Sequence, residues 1–215
     1  MPAVLLVRHG QASFGAEDYD VLSEIGREQS AHVGAELGRR RLRSPVAVCG
    51  SLRRQRDTAE IAVSAAGLVL GVSVDPRWDE YDNLDLLKRY VPPDSAHDGT
   101  SKGIQALLDL ALAAWVEDAS EDWAAFSGGA RTALDELAAR LPSGRDAVVF
   151  TSGGVIAAVC GSLLGLRPDG IVALNRVTAN GAITKVVVGS GGTSLISFND
   201  HAHFEGDARR LLTYR

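Results

Sequence analysis

The chain has 215 residues, of which 46% are hydrophobic and 23% charged, with 22 basic and 27 acidic residues and a formal net charge of -5. This length suits one domain with a substantial core. The acidic balance excludes bulk affinity for nucleic acid, which needs a basic face, but a local arginine cluster could still hold a small anionic substrate.

Ala3 to Val7 is a continuous apolar run, expected as a strand covered on both faces. It stops at Arg8-His9-Gly10. Ser23 is placed to cap a helix running to about Arg41, with Ile25, Gln29, Val33 and Leu37 near helical spacing. Val46 to Cys49 reads as a second strand, followed by a helix from about Arg54 to Ala66 closed by Gly67. Val72 to Val74 is a short strand. The stretch 79–103 is polar, carries Pro92-Pro93 and lacks periodicity, so an irregular excursion is expected there. Residues 104–118 and about 128–141 look helical. Ala147 to Thr151 is a strand that runs into Ser152-Gly153-Gly154 and an apolar helix ending at Leu164. Ala182 to Val188 and Ser194 to Asn199 form a hairpin around the glycine-rich 189–193 segment. Alternating strands and helices over residues 1–215 predict an α/β fold with a mostly parallel sheet in one domain.

Other functional classes find no support in the sequence. Cys49 and Cys160 lie in apolar stretches and read as reduced core thiols. No Cys/His spacing resembles a zinc site, so no metal or cofactor is expected. No signal-peptide order and no bilayer-length apolar run is present, which predicts a cytoplasmic chain with no membrane partner.

Ligands of open α/β sheets bind beyond the carboxyl ends of the strands. Three strand ends here carry unusual chemistry: Arg8-His9-Gly10, Ser51-Leu52-Arg53-Arg54-Gln55-Arg56 and Thr151-Ser152-Gly153-Gly154. Guanidinium groups bind phosphate through planar hydrogen bonds, and a glycine turn at a helix start offers backbone N–H groups to an anion. A histidine among them can act as a base or attack phosphorus. Gly10 would leave room for a close substrate. Each motif alone is weak; their joint occurrence at three strand ends points to phosphoryl chemistry.

These segments resemble the histidine phosphatase superfamily, with its phosphoglycerate-mutase-like α/β/α sandwich. LLVRHGQAS, LSEIGREQS, SLRRQRDTAEIA, VVFTSGGVIAAV and SFNDHAHFEG carry the resemblance, in order, over nearly the whole chain. It implies that His9 is a nucleophile forming a phosphohistidine and that Arg8 and Arg54 bind the phosphoryl oxygens, with Ser152 and Gly153 beside them. It also implies that Glu80, or alternatively Asp79 or Asp82, is the general acid. Gln11 and Ser13 could touch substrate.

One departure stands out. The family's late turn carries a second histidine, where this chain has Ser152. Serine can donate a neutral hydrogen bond but not a charge-assisted one, which is roughly twice as strong. Either His201 or His203, just past the last strand, could reach back into the site, the alternative being that both are ordinary surface or packing histidines; His32 and His97 look unremarkable. The resemblance implies a phosphatase acting on a small phosphomonoester. The alternatives are a phosphoglycerate mutase, disfavoured by Gln11-Ala12-Ser13-Phe14-Gly15 after the histidine motif, and a weakened member that binds phosphorylated ligands.

Overall fold

The computed structural model describes residues 1–13, 19–95, 100–118 and 120–214, with backbone alone for Ser101 and Lys102. The readings made on Phe14, Gly15 and His97 lie outside the described residues. A six-stranded sheet runs in the order β3-β2-β4-β1-β5-β6. Its strands are β1 (Ala3–Arg8), β2 (Val46–Cys49), β3 (Val72–Val74), β4 (Ala147–Thr151), β5 (Ile183–Gly189) and β6 (Gly192–Asp200). The first four pair in parallel, while β5 runs antiparallel to both β1 and β6. This is the mostly parallel α/β sheet expected.

The β1 run is apolar throughout because successive side chains enter two different cores. Leu5 and Val7 pack with Val33, Leu37, Ala59 and Ala62 from α1 (Glu24–Arg39) and α2 (Arg53–Ala65). Val4 and Leu6 pack with Leu134, Val155 and Val159 from α5 (Glu121–Arg140) and α6 (Gly153–Leu164). A third apolar cluster joins α3 (Asn83–Tyr90), α4 (Ser101–Glu117) and α7 (Pro168–Val177) to the outer side of α6. No helix among the described residues is long and apolar enough to cross a membrane.

The stretch 79–103, expected to be irregular, instead contains α3. Asp82 caps it, accepting from the N–H groups of Leu84 and Asp85, and a single buried residue, Leu86, anchors it. An eight-residue helix with one buried side chain leaves almost no periodicity to read. Helix α5 begins seven residues before the expected 128, because Ser120 caps it. Helix α7, not expected at all, starts with Pro168 in its first turn and buries only Ile171 and Val172.

Candidate active site

The carboxyl ends of β1, β2 and β4 meet, as their neighbouring places in the sheet require. Arg8, His9, Arg54, Glu80 and Tyr81 line one cavity of about 110 Å³, joined by Asn83, Gln105, Asn175, Arg176, Tyr19 and Tyr214.

His9 is held in one tautomer. Its Nδ1 lies 2.7 Å from the Gly10 carbonyl, which can only accept, so Nδ1 carries the proton. Its Nε2 then carries the ring's lone pair, which accepts the Arg54 Nε–H at 3.1 Å. Burial, then the Arg54 and Arg8 charges, push the imidazole well below its ordinary value, so it stays neutral into acid.

Arg54 sits in the first turn of α2, where Asp20 holds it by an ion pair of 2.6 Å and also accepts the Arg53 N–H at 2.7 Å. The Tyr19 ring lies under the guanidinium, 5.4 Å away. Arg8 donates through Nη1 to the backbone carbonyls of Thr178 and Tyr214. Its Nε is buried with no partner among the described residues. A buried, unpaired guanidinium N–H is costly unless a ligand completes it.

Glu80 reaches the N-terminus of α6, where Oε2 accepts the Gly154 N–H at 3.1 Å. Tyr81 seals this carboxyl against an aromatic cluster of Trp115, Phe126 and Trp123. Burial raises Glu80 above the ordinary carboxylate range despite the Gly154 bond and the Arg54 and Arg8 charges. A neutral imidazole and a proton-retaining carboxyl thus share one cavity.

The glycines serve packing as much as the ligand. A Cβ on Gly10 would overlap the Gly26 carbonyl of α1, so the close approach served there is helix to loop rather than substrate to loop. A Cβ on Gly154 would overlap Glu80 and Tyr81. Gly153 lies beside Arg8 Nε and Asn175.

Several expectations are placed elsewhere. Gln11 lies outside the cavity, accepting the Ser23 hydroxyl at 2.9 Å and donating its backbone N–H to Gln29. Ser13 pairs through its backbone with Val21. His203 does not reach the site: its Nε2 meets the Gly181 carbonyl at 3.1 Å and its ring packs at a tilt against Phe204. His201 bonds the Asn199 carbonyl. Both follow the edge strand β6, whose end turns back against α1 rather than over β1 and β4. Ser152 is buried, and its hydroxyl accepts the Gln55 amide at 2.8 Å instead of lining the cavity. Of the alternatives to Glu80, Asp79 accepts the Ser51 N–H and hydroxyl, and Asp82 caps α3.

Asn175, Arg176 and Tyr214 are site residues the sequence reading missed. Arg176 is held by Asp109 through Nε at 2.8 Å, and Gln105 donates to the same carboxylate at 2.7 Å. The Pro-Asp-Gly start of α7 is the one signal that could have found two of them.

Comparison with known proteins identifies the family and the fold. Residues 4–201 match the profile of the histidine phosphatase superfamily (branch 1). A glucosyl-3-phosphoglycerate phosphatase of Mycolicibacterium vanbaalenii is 27% identical over 95% of this chain and 87% of its own length. The solved structure of a mycobacterial glucosyl-3-phosphoglycerate phosphatase with inorganic phosphate is 28% identical, with a TM-score of 0.67 over 94% of this chain and 99% of the other. A phosphoglycerate mutase from Bacillus anthracis shares the fold at 19% identity and a TM-score of 0.68, over 94% of each chain. The chain belongs to the histidine phosphatase superfamily and is an enzyme of phosphoryl transfer.

Proposed function

We propose that this chain hydrolyses small phosphomonoesters through a phosphohistidine on His9. One observation carries the reading: Gly10 fixes the ring proton on Nδ1, so the basic nitrogen of His9 is Nε2, in the cavity lining and bonded to Arg54, a bond that an incoming phosphoryl group takes over as it frees the lone pair. Arg8 and Arg54 bind the phosphoryl oxygens and offset the charge that develops on them, and the backbone at Gly153 lies beside that anion. Nε2 attacks phosphorus as the P–O bond to the leaving group breaks, and the Glu80 carboxyl gives its proton to the departing oxygen. Water then attacks the phosphohistidine, passing its proton back to the Glu80 carboxylate as the P–N bond breaks and phosphate leaves.

Gln105 and Arg176, in the cavity lining, also line a neighbouring open groove of about 940 Å³ between α4 and α7, walled by Ala106, Leu110, Ala113 and Val172. This open side favours hydrolysis over the mutase reading, because a mutase must keep water from its phosphohistidine. It also gives the leaving group a place to lie. Arg176 already pairs with Asp109 at the mouth, which suits a leaving group without a second anion.

The test is hydrolysis of phenyl phosphate in the presence of a chelator, for wild type and His9→Ala. Turnover that survives chelation and is lost in the variant is expected. Turnover that needs a metal, or that persists without His9, overturns the reading.

A further inference from the structure

Ser152 stands where the family's late turn carries a second histidine, and Gln55 of α2 fills the space beside it. Gln55 is completely buried, and its Nε2 uses both protons, one to Ser152 Oγ at 2.8 Å and one to the Trp78 carbonyl at 2.9 Å. The Thr151 hydroxyl meets the same carbonyl at 2.6 Å. Gln55 Oε1 points at Gly50, where a Cβ would overlap it, and it has no partner among the described residues. A buried acceptor left without a donor costs stability, so a methionine of similar size would suit this core better if packing were all that mattered.

Each group that Gln55 joins adjoins a site residue. Gln55 itself follows Arg54 on α2. Trp78 lies two residues before Glu80. Ser152 lies two residues before Gly154, whose N–H holds the Glu80 carboxylate. One side-chain amide therefore spans the two segments between which that carboxyl is clamped.

We propose that Gln55 is a positioning residue: with Ser152 it occupies the place of the family's second histidine and braces the Trp78 and Ser152 segments so that Glu80 stays seated at the α6 N-terminus. This inference rests on the reading of Glu80 as the proton donor. It explains how the chain can work without a second imidazole. The phosphoryl charge falls to Arg54 and to Arg8 with its unpartnered Nε–H, and the vacated position holds the acid in place.

The groups facing Glu80 are Arg8 from β1, Arg54 from α2, Tyr81 on its own segment and the α6 backbone at Gly154, with His9 in the same cavity. Loosening the brace admits water to the carboxyl, which removes the burial that raises it. Gln55→Met keeps the volume and deletes the amide. We expect kcat on phenyl phosphate to fall about tenfold or more, as for partial loss of a general acid, with KM within about twofold. The alkaline limb of the kcat profile should move to lower pH. Ser152→Ala should give the same change, and the double variant should be no worse than either single one.

Carboxyl NMR of Glu80 reads the same shift without turnover, and near-UV circular dichroism confirms that each variant is folded. An unmoved Glu80 titration in folded Gln55→Met, or additive effects of the two substitutions, overturns the proposal. Survival of activity in His9→Ala would overturn the catalytic reading instead, while the Glu80 titration would still decide the brace.

Discussion

Glu80 and Gly154 are made for each other: the carboxylate accepts the Gly154 N–H at 3.1 Å, and the missing Cβ of that glycine is the space the carboxylate occupies. Gly154→Ala must therefore displace both Glu80 and Tyr81. Alanine suits the helical backbone here, so the penalty falls on the acid rather than on α6. The expected result is a kcat at least about a hundredfold down, in the range for loss of a positioned acid. Steady-state kinetics with phenyl phosphate check it, and a kcat within about threefold of wild type would dissociate Glu80 from the chemistry.

Glu80→Gln should discriminate between leaving groups. Nitrophenolate departs without help, whereas an alkoxide needs a proton, so the loss should be at least about tenfold larger for an alkyl phosphate than for p-nitrophenyl phosphate. Equal losses on both substrates would show that Glu80 acts through its charge or shape instead.

The pH profile follows from two opposite shifts. The productive free enzyme has a neutral His9 and a protonated Glu80. Burial and the flanking arginines lower His9 from 6.5, so the acid limb should lie well below that value. Burial raises Glu80 from 4.5, so the alkaline limb should lie above that value. A bell-shaped kcat/KM between these two limbs is expected, and Glu80→Gln should lose the alkaline limb. An acid limb at or above the ordinary histidine value would contradict the buried, neutral imidazole.

How far the sequence could be read depends on how each feature is encoded. β1, β2 and β4 were legible because a strand buried on both faces writes an unbroken apolar run. Arg8 and His9 stand out because three strand ends carry unusual chemistry together, and the family resemblance picked Arg54 from its arginine run and added Glu80. Gln55 passed unnoticed because a lone glutamine in an arginine-rich helix start looks solvated; only the fold shows it fully buried. Asn175, Arg176 and Tyr214 reach the cavity from α7 and the C-terminal segment by topology, which no local pattern records. His203 failed for a related reason: proximity to a strand end carries no information about which strand lies beside the site.

His203 instead serves the core. Burial drives its pKa down to about 4, against 6.5 when exposed. A folded-state value that low means the unfolded chain takes up the proton first, so the His203 contribution to stability is present above about pH 6.5 and is lost as pH falls toward 4. His203→Ala should lower Tm at pH 7.5 and leave kcat unchanged, and the Tm gap to wild type should narrow at pH 5. A tenfold fall in kcat would return this histidine to the site.

Ser152→His, the substitution that would restore the family's second imidazole, should fail in this chain on its own. Ser152 is enclosed by Gln55, Thr151 and the start of α6, with no surface exposed. An imidazole there must push out the Gln55 amide, and overpacking of this kind costs about 1–3 kcal/mol. Glu80 should lose its brace at the same time, so both Tm and kcat are expected to drop. Gln55→Ala combined with Ser152→His opens the required volume, and the pair should recover Tm toward wild type and place a second titrating imidazole against the phosphoryl oxygens. Thermal unfolding together with the pH dependence of kcat checks both halves. If Ser152→His alone is as stable and as active as wild type, then Gln55 does not fill the histidine's place.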